Sequence, residues 1–309
     1  MTWFIIPPVM KSSYKKIKKL SIQGENPKVT QVVLTTTLAK KGFASILTKI
    51  LLQIASKVGN VLWAPKISQS LIQKIMLIGI QKGKDTANPQ SKIVGYCATL
   101  NKEMTKFHSS YDYVNESQSG DTIRMSNILA DCLSAYGHLN SGLPDEIIIL
   151  KAGCCDGQKT DISQMEIQEA RTLLKNMSKY VPNLTYIIVD KSSNTKFFAN
   201  EREVRNPGHG TLINSKVVSK GYDFYLIAQH CNRGTVKPVH YQVLYSESEI
   251  EEGMIQELMY SQSFNYMNWS GSVRVPSVLQ YAAKLAKFSG ENLNQAIETK
   301  CLNDRLYYI

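Results

Sequence analysis

From residue 75 to the C-terminus, short apolar strands and amphipathic helices follow one another in a definite order. Three strand-like segments come first, and helices then alternate with strands. The strand-like segments are residues 75–80, 93–100, 107–114, 146–150, 184–189, 222–229 and 241–245. The helical segments are residues 123–136, 163–178, 250–264 and 276–288. This order predicts an α/β domain over residues 68–309.

Residues 1–67 predict a second, smaller unit of the same class. A strand at residues 3–6 precedes a helix that carries Tyr14 and Lys18. A β-branched strand at residues 30–35 leads into a long amphipathic helix at about 38–58. Alternating strands and helices are typical of a parallel α/β layer, so this unit is interpreted as a fragment of such a layer.

The charge of the chain favours an anionic partner. The 309 residues carry a net charge of +11, and 43% of them are hydrophobic, which indicates a folded and basic protein. Nucleic acid is the commonest anionic partner, because neutralised phosphates release counterions. The six cysteines include no C-x-x-C pair, which argues against a zinc site and fits a reducing compartment. No uninterrupted apolar run reaches the roughly 18 residues of a membrane span, so no membrane is expected as a partner.

The stretch from residue 222 to residue 276 contains YDFYLIAQHCNRGTVKPVHYQVLY and then NWSGSVRVP. It resembles the PIWI domain of the Argonaute superfamily, and specifically the Piwi clade, whose pattern is close to YDF-LVSQ-x-x-x-x-GT-x-x-P-x-HY. The resemblance covers nearly the whole chain. It implies an RNase H-like PIWI domain at residues 68–309, preceded by the C-terminal part of a Rossmann-like MID domain at residues 1–67. Domains of this family either cut RNA or hold a guide RNA without cutting.

Polar residues in the first unit have a spacing that suits a phosphate. Tyr14 and Lys18 share a helix face, and Lys49, Gln53 and Lys57 recur at four-residue steps on the long helix. Lysine and amide donors near helix ends can bind a phosphate monoester, although such residues also form ordinary solvated faces. The family resemblance favours the pocket, because MID domains hold the guide 5′-phosphate at matching positions. These positions are Tyr14, Lys18, Gln31, Gln53 and Lys57.

The resemblance also implies a divalent metal at this pocket. Gln53, where related Argonautes carry lysine, is the Piwi-like residue and leaves one positive charge fewer. Mg²⁺ at the guide 5′-phosphate would supply that charge, with the terminal carboxylate of Ile309 as a nearby ligand. The alternative is that the final residues, LYYI, only pack against the core.

The positions that hold catalytic metals in the family are altered here. The family pattern G-[IV]-D corresponds to Gly79, Ile80 and Gln81, and the aspartate of Y-R-D-G corresponds to Ala152. The glutamate finger falls on Gly120, with Asp121 as a speculative substitute, and His240 is taken as the fourth position. RNase H-like nucleases hold two metals with clustered carboxylates. The replacements therefore predict that this protein has no catalytic metal pair and is not an endonuclease.

Four basic residues are predicted to contact the RNA backbone, namely Lys151, Arg233, Lys237 and Arg274. The predicted function is binding of a small, piRNA-like guide RNA in gene silencing without cleavage. The expected partners are a single-stranded guide RNA, complementary RNA and silencing-complex proteins. The expected location is the cytoplasm, including perinuclear granules, with the nucleus as the alternative. Two other functions remain open, a protein-interaction module that binds no guide RNA and an inactive truncated paralogue.

Overall fold

A computed structural model describes most of the chain at the level of individual side chains. The described residues are 1–67, 74–115, 123–153, 157, 162–177, 181–200, 203–218, 222–231, 233–293 and 300–309. They form a two-stranded sheet, an eight-stranded sheet and a short separate hairpin.

The N-terminal unit contains the two-stranded sheet. Its helices and strands are β1 (Thr2–Ile6), α1 (Ser13–Gln23), β2 (Thr30–Leu34), a short α2 (Thr35–Leu38) and α3 (Phe43–Lys57). The two strands pair in parallel, with Trp3 opposite Gln31. The long helix begins at Phe43, later than predicted, because Gly42 has a left-handed φ of 77° that a helix cannot continue through. β1, α1 and β2 lie close to the predicted positions.

The large unit is built on the eight-stranded mixed sheet. Its strands are β3 (Ile75–Lys84), β4 (Ser91–Thr99), β5 (Phe107–Asn115), β6 (Glu146–Ala152), β7 (Asn183–Asp190), β10 (Thr211–Ile213), β11 (Asp223–Ile227) and β12 (Val239–Ser246). Their spatial order is β10-β11-β12-β7-β6-β3-β4-β5. The central strands β3, β6 and β7 run in parallel, and their neighbours are antiparallel. The carboxyl ends of β3, β6 and β7 therefore meet at one edge of the sheet.

Helices cover both faces of this sheet. They are α4 (Met125–Leu139), α5 (Gln168–Met177), α6 (Glu252–Gln262) and α7 (Ser277–Phe288), and a π-helical segment (Ile162–Ile167) precedes α5. One face packs with α6 and α7 around Leu150, Val189 and Tyr241. The opposite face packs with α4 and α5 around Ile149 and Ile188. Apolar residues thus line both sides of the central strands, as expected for a sheet that is buried on both faces.

Helix α7 lies directly on β3 and β4 because small residues face it. A side chain added at Gly79 would come within 2.4 Å of the backbone of Val278. A side chain added at Gly95 would come within 2.6 Å of the Ala282 carbonyl oxygen. Larger residues at these glycines would push the helix off the sheet, so the close packing fixes α7 beside the middle of β3.

Three short strands were not predicted from the sequence. Strands β8 (Ala199–Asn200) and β9 (Val204–Arg205) form the separate hairpin, and β10 extends the large sheet by one strand. Two or three residues are too few to show a period of two, so the sequence pattern contains no signal for them.

Candidate functional site

Helix α1, strand β2 and helix α3 bring the five predicted phosphate-pocket residues into one cluster. The Nζ of Lys18 donates to the carbonyl oxygen of Thr30 at 2.9 Å and to its Oγ1 at 3.1 Å. The Nζ of Lys57 donates to Gln31 Oε1 at 2.8 Å. Gln31 Nε2 in turn donates to Gln53 Oε1 at 3.3 Å. The Lys18 ammonium lies 5.6 Å from the centre of the Tyr14 ring.

The two lysines are buried, and neither has a carboxylate partner among the residues that the structure describes. Lys18 is 2% exposed and Lys57 is 3% exposed. Burial lowers the pKa of Lys18 to about 8. Burial, and next the charge of Lys18, lower the pKa of Lys57 to about 7. Burying an ammonium group without an opposite charge is unfavourable. A cluster of this kind is therefore suited to an anion that supplies the missing negative charge.

Ile309 makes no ion pair with either lysine within the part of the chain that the structure describes. Its backbone nitrogen donates to Leu306 at 3.3 Å, and the residues before it, Tyr307 and Tyr308, are buried in the core. The Tyr308 hydroxyl lies 2.7 Å from Ser109 Oγ. Both amide oxygens of the pocket, on Gln31 and Gln53, already accept hydrogen bonds. These side chains alone do not fit a magnesium ion, and Mg²⁺ with the Ile309 carboxylate stays a prediction.

Gln81 and Ala152 lie next to each other where β6 ends beside β3, which continues to Lys84. The two strands are aligned with Ile80 opposite Lys151, which places Gln81 beside Ala152. The Gln81 amide donates to the carbonyl oxygen of Lys82 at 3.0 Å. Gly120 and Asp121 lie outside the described residues.

His240 does not join Gln81 and Ala152, so the prediction that it belongs to the same constellation is wrong. Strands β6, β7 and β12 align Ala152, Val189 and Tyr241 on the face that α7 covers. Successive residues of a strand point to opposite faces, so His240 points to the other face. There its Nε2 lies 2.8 Å from Asp223 Oδ2. Its ring also stacks on Tyr225, with the ring centres 4.2 Å apart.

Lys151 was predicted to contact the RNA backbone, but it is buried in the core, so that assignment is wrong. It is 4% exposed and its Nζ lies 2.7 Å from Glu166 Oε1. The Tyr186 hydroxyl donates to the same carboxylate at 2.6 Å. Lys151 alternates with residues of the α7 face and therefore lies under α4 and α5, away from any open surface.

The other three predicted backbone contacts have different surroundings. Arg233 and Lys237 are exposed. Arg274 is half-buried, and one of its terminal nitrogens donates to the carbonyl oxygen of Lys191 at 2.9 Å. The first two can therefore reach a ligand in solvent, whereas Arg274 is held against the end of β7.

Lys191 is the site residue that the sequence reasoning missed. It follows the last residue of β7, and its Nζ donates to Gln81 Oε1 at 3.3 Å. Residues at the carboxyl ends of neighbouring parallel strands meet at one edge of a sheet. The lysine that follows the predicted strand at residues 184–189 was the signal that could have identified it.

The described part of the chain contains no group of three or more His, Cys, Asp or Glu side chains that could hold a metal ion. Helix α7, which passes over β3 beside Gln81, carries none of these four residue types. In the same described part, no helix is both long enough and apolar enough to cross a membrane.

Comparisons with known proteins agree with the resemblance seen in the sequence. The family model described as the Piwi domain matches residues 1–294. Piwi-like protein 1 of Gallus gallus is 34% identical over 310 residues, covering 99% of this chain and 35% of that protein. Piwi-like protein Ago3 of Bombyx mori is 34% identical over 301 residues, covering 96% of this chain and 32% of that protein. The chain thus spans about a third of the length of these relatives.

Solved structures show the same architecture. The crystal structure of Drosophila Piwi matches with a TM-score of 0.87 at 29% identity, covering 99% of this chain and 42% of that one. The crystal structure of Kluyveromyces polysporus Argonaute with a guide RNA matches with a TM-score of 0.84 at 17% identity, covering 99% of this chain and 39% of that one, a likeness of fold alone. The predicted α/β fold of the RNase H-like PIWI type is confirmed. The chain belongs to the Piwi domain family, with Piwi-like proteins among its relatives.

Proposed function

We propose that this protein binds a small guide RNA through its 5′-phosphate and acts in RNA-guided silencing without cutting the target. The observation that carries the proposal is the pair of buried lysines, Lys18 and Lys57, which lack a carboxylate partner among the described residues. A 5′-phosphate carries a charge of about −1.5 to −2 near neutral pH, which would balance both ammonium groups.

The surrounding amides favour a phosphate over a simple halide or carboxylate. Gln31 links Lys57 to Gln53, so three side chains are oriented together. Tyr14 lies at the rim of the cluster, since that residue is 38% exposed. Lysine and amide donors held close together suit the several oxygens of a phosphate monoester.

The absence of cleavage is part of the proposal. Gln81 and Ala152 stand where the family resemblance expects aspartates, and Lys191 contacts Gln81. A two-metal nuclease needs carboxylates to hold its metals, and a lysine ammonium repels them. Silencing would then depend on pairing with a complementary RNA and on recruited proteins, in the cytoplasm as the expected location.

Binding of RNAs that differ only at the 5′ end tests this proposal. A filter-binding assay compares 5′-phosphorylated with 5′-hydroxyl single-stranded RNA of the same sequence. We expect the phosphorylated RNA to bind roughly ten- to a hundredfold more tightly, the effect of one or two charge-assisted contacts. Equal affinity for the two RNAs would remove the pocket from the proposal. No binding of either RNA would favour the protein-interaction alternative.

A further inference from the structure

The amino ends of the central strands carry a concentration of acidic residues. Strands β6 and β7 begin there at Glu146 and Asn183, and residues 247–257, which follow β12 at the same end, contain five glutamates. No lysine or arginine lies between Lys237 and Arg274. The whole chain has a net charge of +11, so this end of the sheet differs in sign from the protein as a whole.

Glu146 adds a buried carboxylate with an unsatisfied acceptor. The residue is 1% exposed, and its Oε1 accepts a hydrogen bond from Asn183 Nδ2 at 2.9 Å. Its Oε2 is buried and has no hydrogen-bond partner among the described residues. Burial raises the pKa of Glu146, its hydrogen bonds lower it, and the charges of Glu249 and Asp145 raise it further. The Glu146 carboxylate therefore lies close to two other acids and is repelled by both.

Structural roles explain some of the acids in this region. The Glu247 carboxylate forms an ion pair with Arg171 at 3.1 Å. Glu252 lies in the first turn of α6, where the helix dipole stabilises a negative charge. In the described part of the chain, no ion pair is found for Glu249, which is exposed, or for Glu146. The charges of these two acids are thus left for a ligand to balance.

The arrangement favours an organic cation as that ligand. Within the described residues, no group of three or more His, Cys, Asp or Glu side chains is placed so that it could hold a metal ion. A phosphate-bearing ligand would be repelled by the carboxylates. A guanidinium group is planar, weakly hydrated and permanently charged, and it brings several N–H donors that suit carboxylate oxygens. An arginine side chain therefore fits this site best.

We propose that the acidic edge, formed by Asp145, Glu146 and Glu249, docks an arginine-bearing segment of a partner protein. Glu249 contacts the guanidinium group at the surface. Glu146 attracts the same group from the interior, where charges act over a medium of lower dielectric constant. The acidic edge lies at the opposite end of the central strands from Gln81 and Ala152, so a partner bound there leaves that other end open. The inference does not rest on guide binding.

The test measures the affinity of an arginine peptide for the RNA-free protein. A short fluorescein-labelled peptide that alternates arginine with serine is titrated with wild-type protein, Glu249→Gln and Glu146→Gln, and fluorescence anisotropy reports binding. Low ionic strength is used, because salt screens exposed charges. The matched control is Glu203→Gln, an exposed glutamate that precedes β9 in the separate hairpin. Thermal denaturation of each variant shows that it is folded.

We expect Glu249→Gln to weaken the peptide about two- to fivefold, the effect of one exposed charge pair. Glu146→Gln should weaken it about three- to tenfold, because a buried charge is screened less by solvent. Glu203→Gln should keep the wild-type affinity. A peptide with lysine in place of each arginine should bind wild-type protein more weakly, since an ammonium group cannot pair with a carboxylate in the bidentate way of a guanidinium.

No binding of the arginine peptide to wild-type protein would overturn the inference, and so would equal affinities for wild-type protein and both acidic-edge variants. An equal loss in Glu203→Gln would also overturn it, because the peptide would then respond only to net charge. Equal affinity for the lysine peptide would refute the assignment of an arginine-bearing partner. Because these titrations contain no RNA, their outcome is separate from that of the proposed guide binding.

Discussion

Lys57 at the end of α3 donates to Gln31 at the start of β2, with 2.8 Å between Nζ and Oε1, and both side chains are buried. The lysine thus donates to a neutral amide, and no carboxylate among the described residues balances its charge. An uncompensated charge in the interior costs stability unless a ligand balances it. This relationship leads to three predictions about binding and stability.

Lys57→Met should remove most of the preference for a 5′-phosphate. We expect the affinity for 5′-phosphorylated RNA to fall about ten- to a hundredfold, since one charge-assisted contact is lost, and the affinity for 5′-hydroxyl RNA to change little. The matched control is Lys49→Met, an exposed lysine two turns earlier on the same helix. Filter binding with both RNAs distinguishes the outcomes. Equal losses for the two RNAs would mean that Lys57 does not contact the 5′-phosphate.

Affinity for the 5′-phosphate should decrease as the pH rises above about 7. In the free protein the pKa of Lys57 is about 7 and that of Lys18 is about 8, so both lysines lose protons above these values. Binding an anion requires the protonated lysines. Above its pKa, each lysine must therefore take up a proton on binding, and the affinity falls by up to about tenfold per pH unit for each of them. Below about pH 6 the phosphate itself gains a proton. The optimum therefore lies at about pH 6 to 7.

Titrations of 5′-phosphorylated RNA at pH 6.5 and 8.5 measure this dependence. The same titrations with 5′-hydroxyl RNA serve as the control, because that RNA does not engage the lysine pair. A flat profile for the phosphorylated RNA would mean that the lysines stay protonated throughout.

Without RNA, Lys57→Met should stabilise the protein at pH 7. The pKa of Lys57 is lowered on folding from 10.5 to about 7, so the unfolded chain binds more protons between these values. The free energy of unfolding therefore rises with pH across that window, by about 1.4 kcal/mol per pH unit for this group. The cost of burying the Lys57 ammonium is fully present below about pH 7, and it disappears towards pH 10 as the lysine loses its proton in the unfolded chain as well.

Urea denaturation at several pH values measures the free energy of unfolding of the wild-type protein and of Lys57→Met. The other titrating groups are common to both proteins, so the difference between the two curves reports Lys57. The variant should be the more stable protein at pH 7, and the two should converge as the pH approaches 10. A difference that does not change with pH would contradict the prediction.

Guide-directed cleavage should be absent. Gln81 and Ala152 offer no carboxylate at the end of β3 and β6. Incubation of loaded protein with a matched target in magnesium or manganese should leave the target intact on a denaturing gel. Gln81→Asp with Ala152→Asp should remain inactive, because Gly120 leaves the expected glutamate-finger position without a carboxylate. A single guide-directed cut by the wild-type protein would refute this prediction.

The buried pair of Lys151 and Glu166 should matter for stability and not for RNA. Lys151→Met leaves the Glu166 carboxylate buried at 1% exposure, and we expect a loss of about 3–5 kcal/mol in the free energy of unfolding. Lys151→Met with Glu166→Gln should recover much of this loss, because the neutral amide no longer carries a buried charge. Urea denaturation measures both variants. A weakened RNA affinity with unchanged stability would restore Lys151 as a backbone contact.

Much of the fold was predictable because the apolar period of each strand and helix is local. The strands at residues 146–150 and 184–189 lie within one or two residues of β6 and β7. The clustering of five polar residues was predictable for another reason, since Tyr14, Lys18, Gln31, Gln53 and Lys57 match a family motif in order and spacing. The very short strands β8 to β10 had no such signal.

The roles of Lys151, Lys191 and His240 could not be derived in the same way. In the sequence, Lys151 is indistinguishable from other basic residues at strand ends. Its ion pair with Glu166, fifteen residues later, forms only when the chain folds. The face of the sheet on which His240 lies depends on its register with β7, and a shift of one residue would reverse it.

The sequence by itself determined the family and the order of strands and helices, and it led to the prediction that Gln81 and Ala152 replace two aspartates. The tertiary structure alone decided which lysines are buried with no carboxylate partner in the described part of the chain and which form an ion pair. Burial and pairing of a charge depend on groups that are distant along the chain and become neighbours only when the sheet and its helices pack. Lys18 and Lys57 are thus buried close to each other, Lys151 forms a core ion pair with Glu166, and Lys191 donates to Gln81.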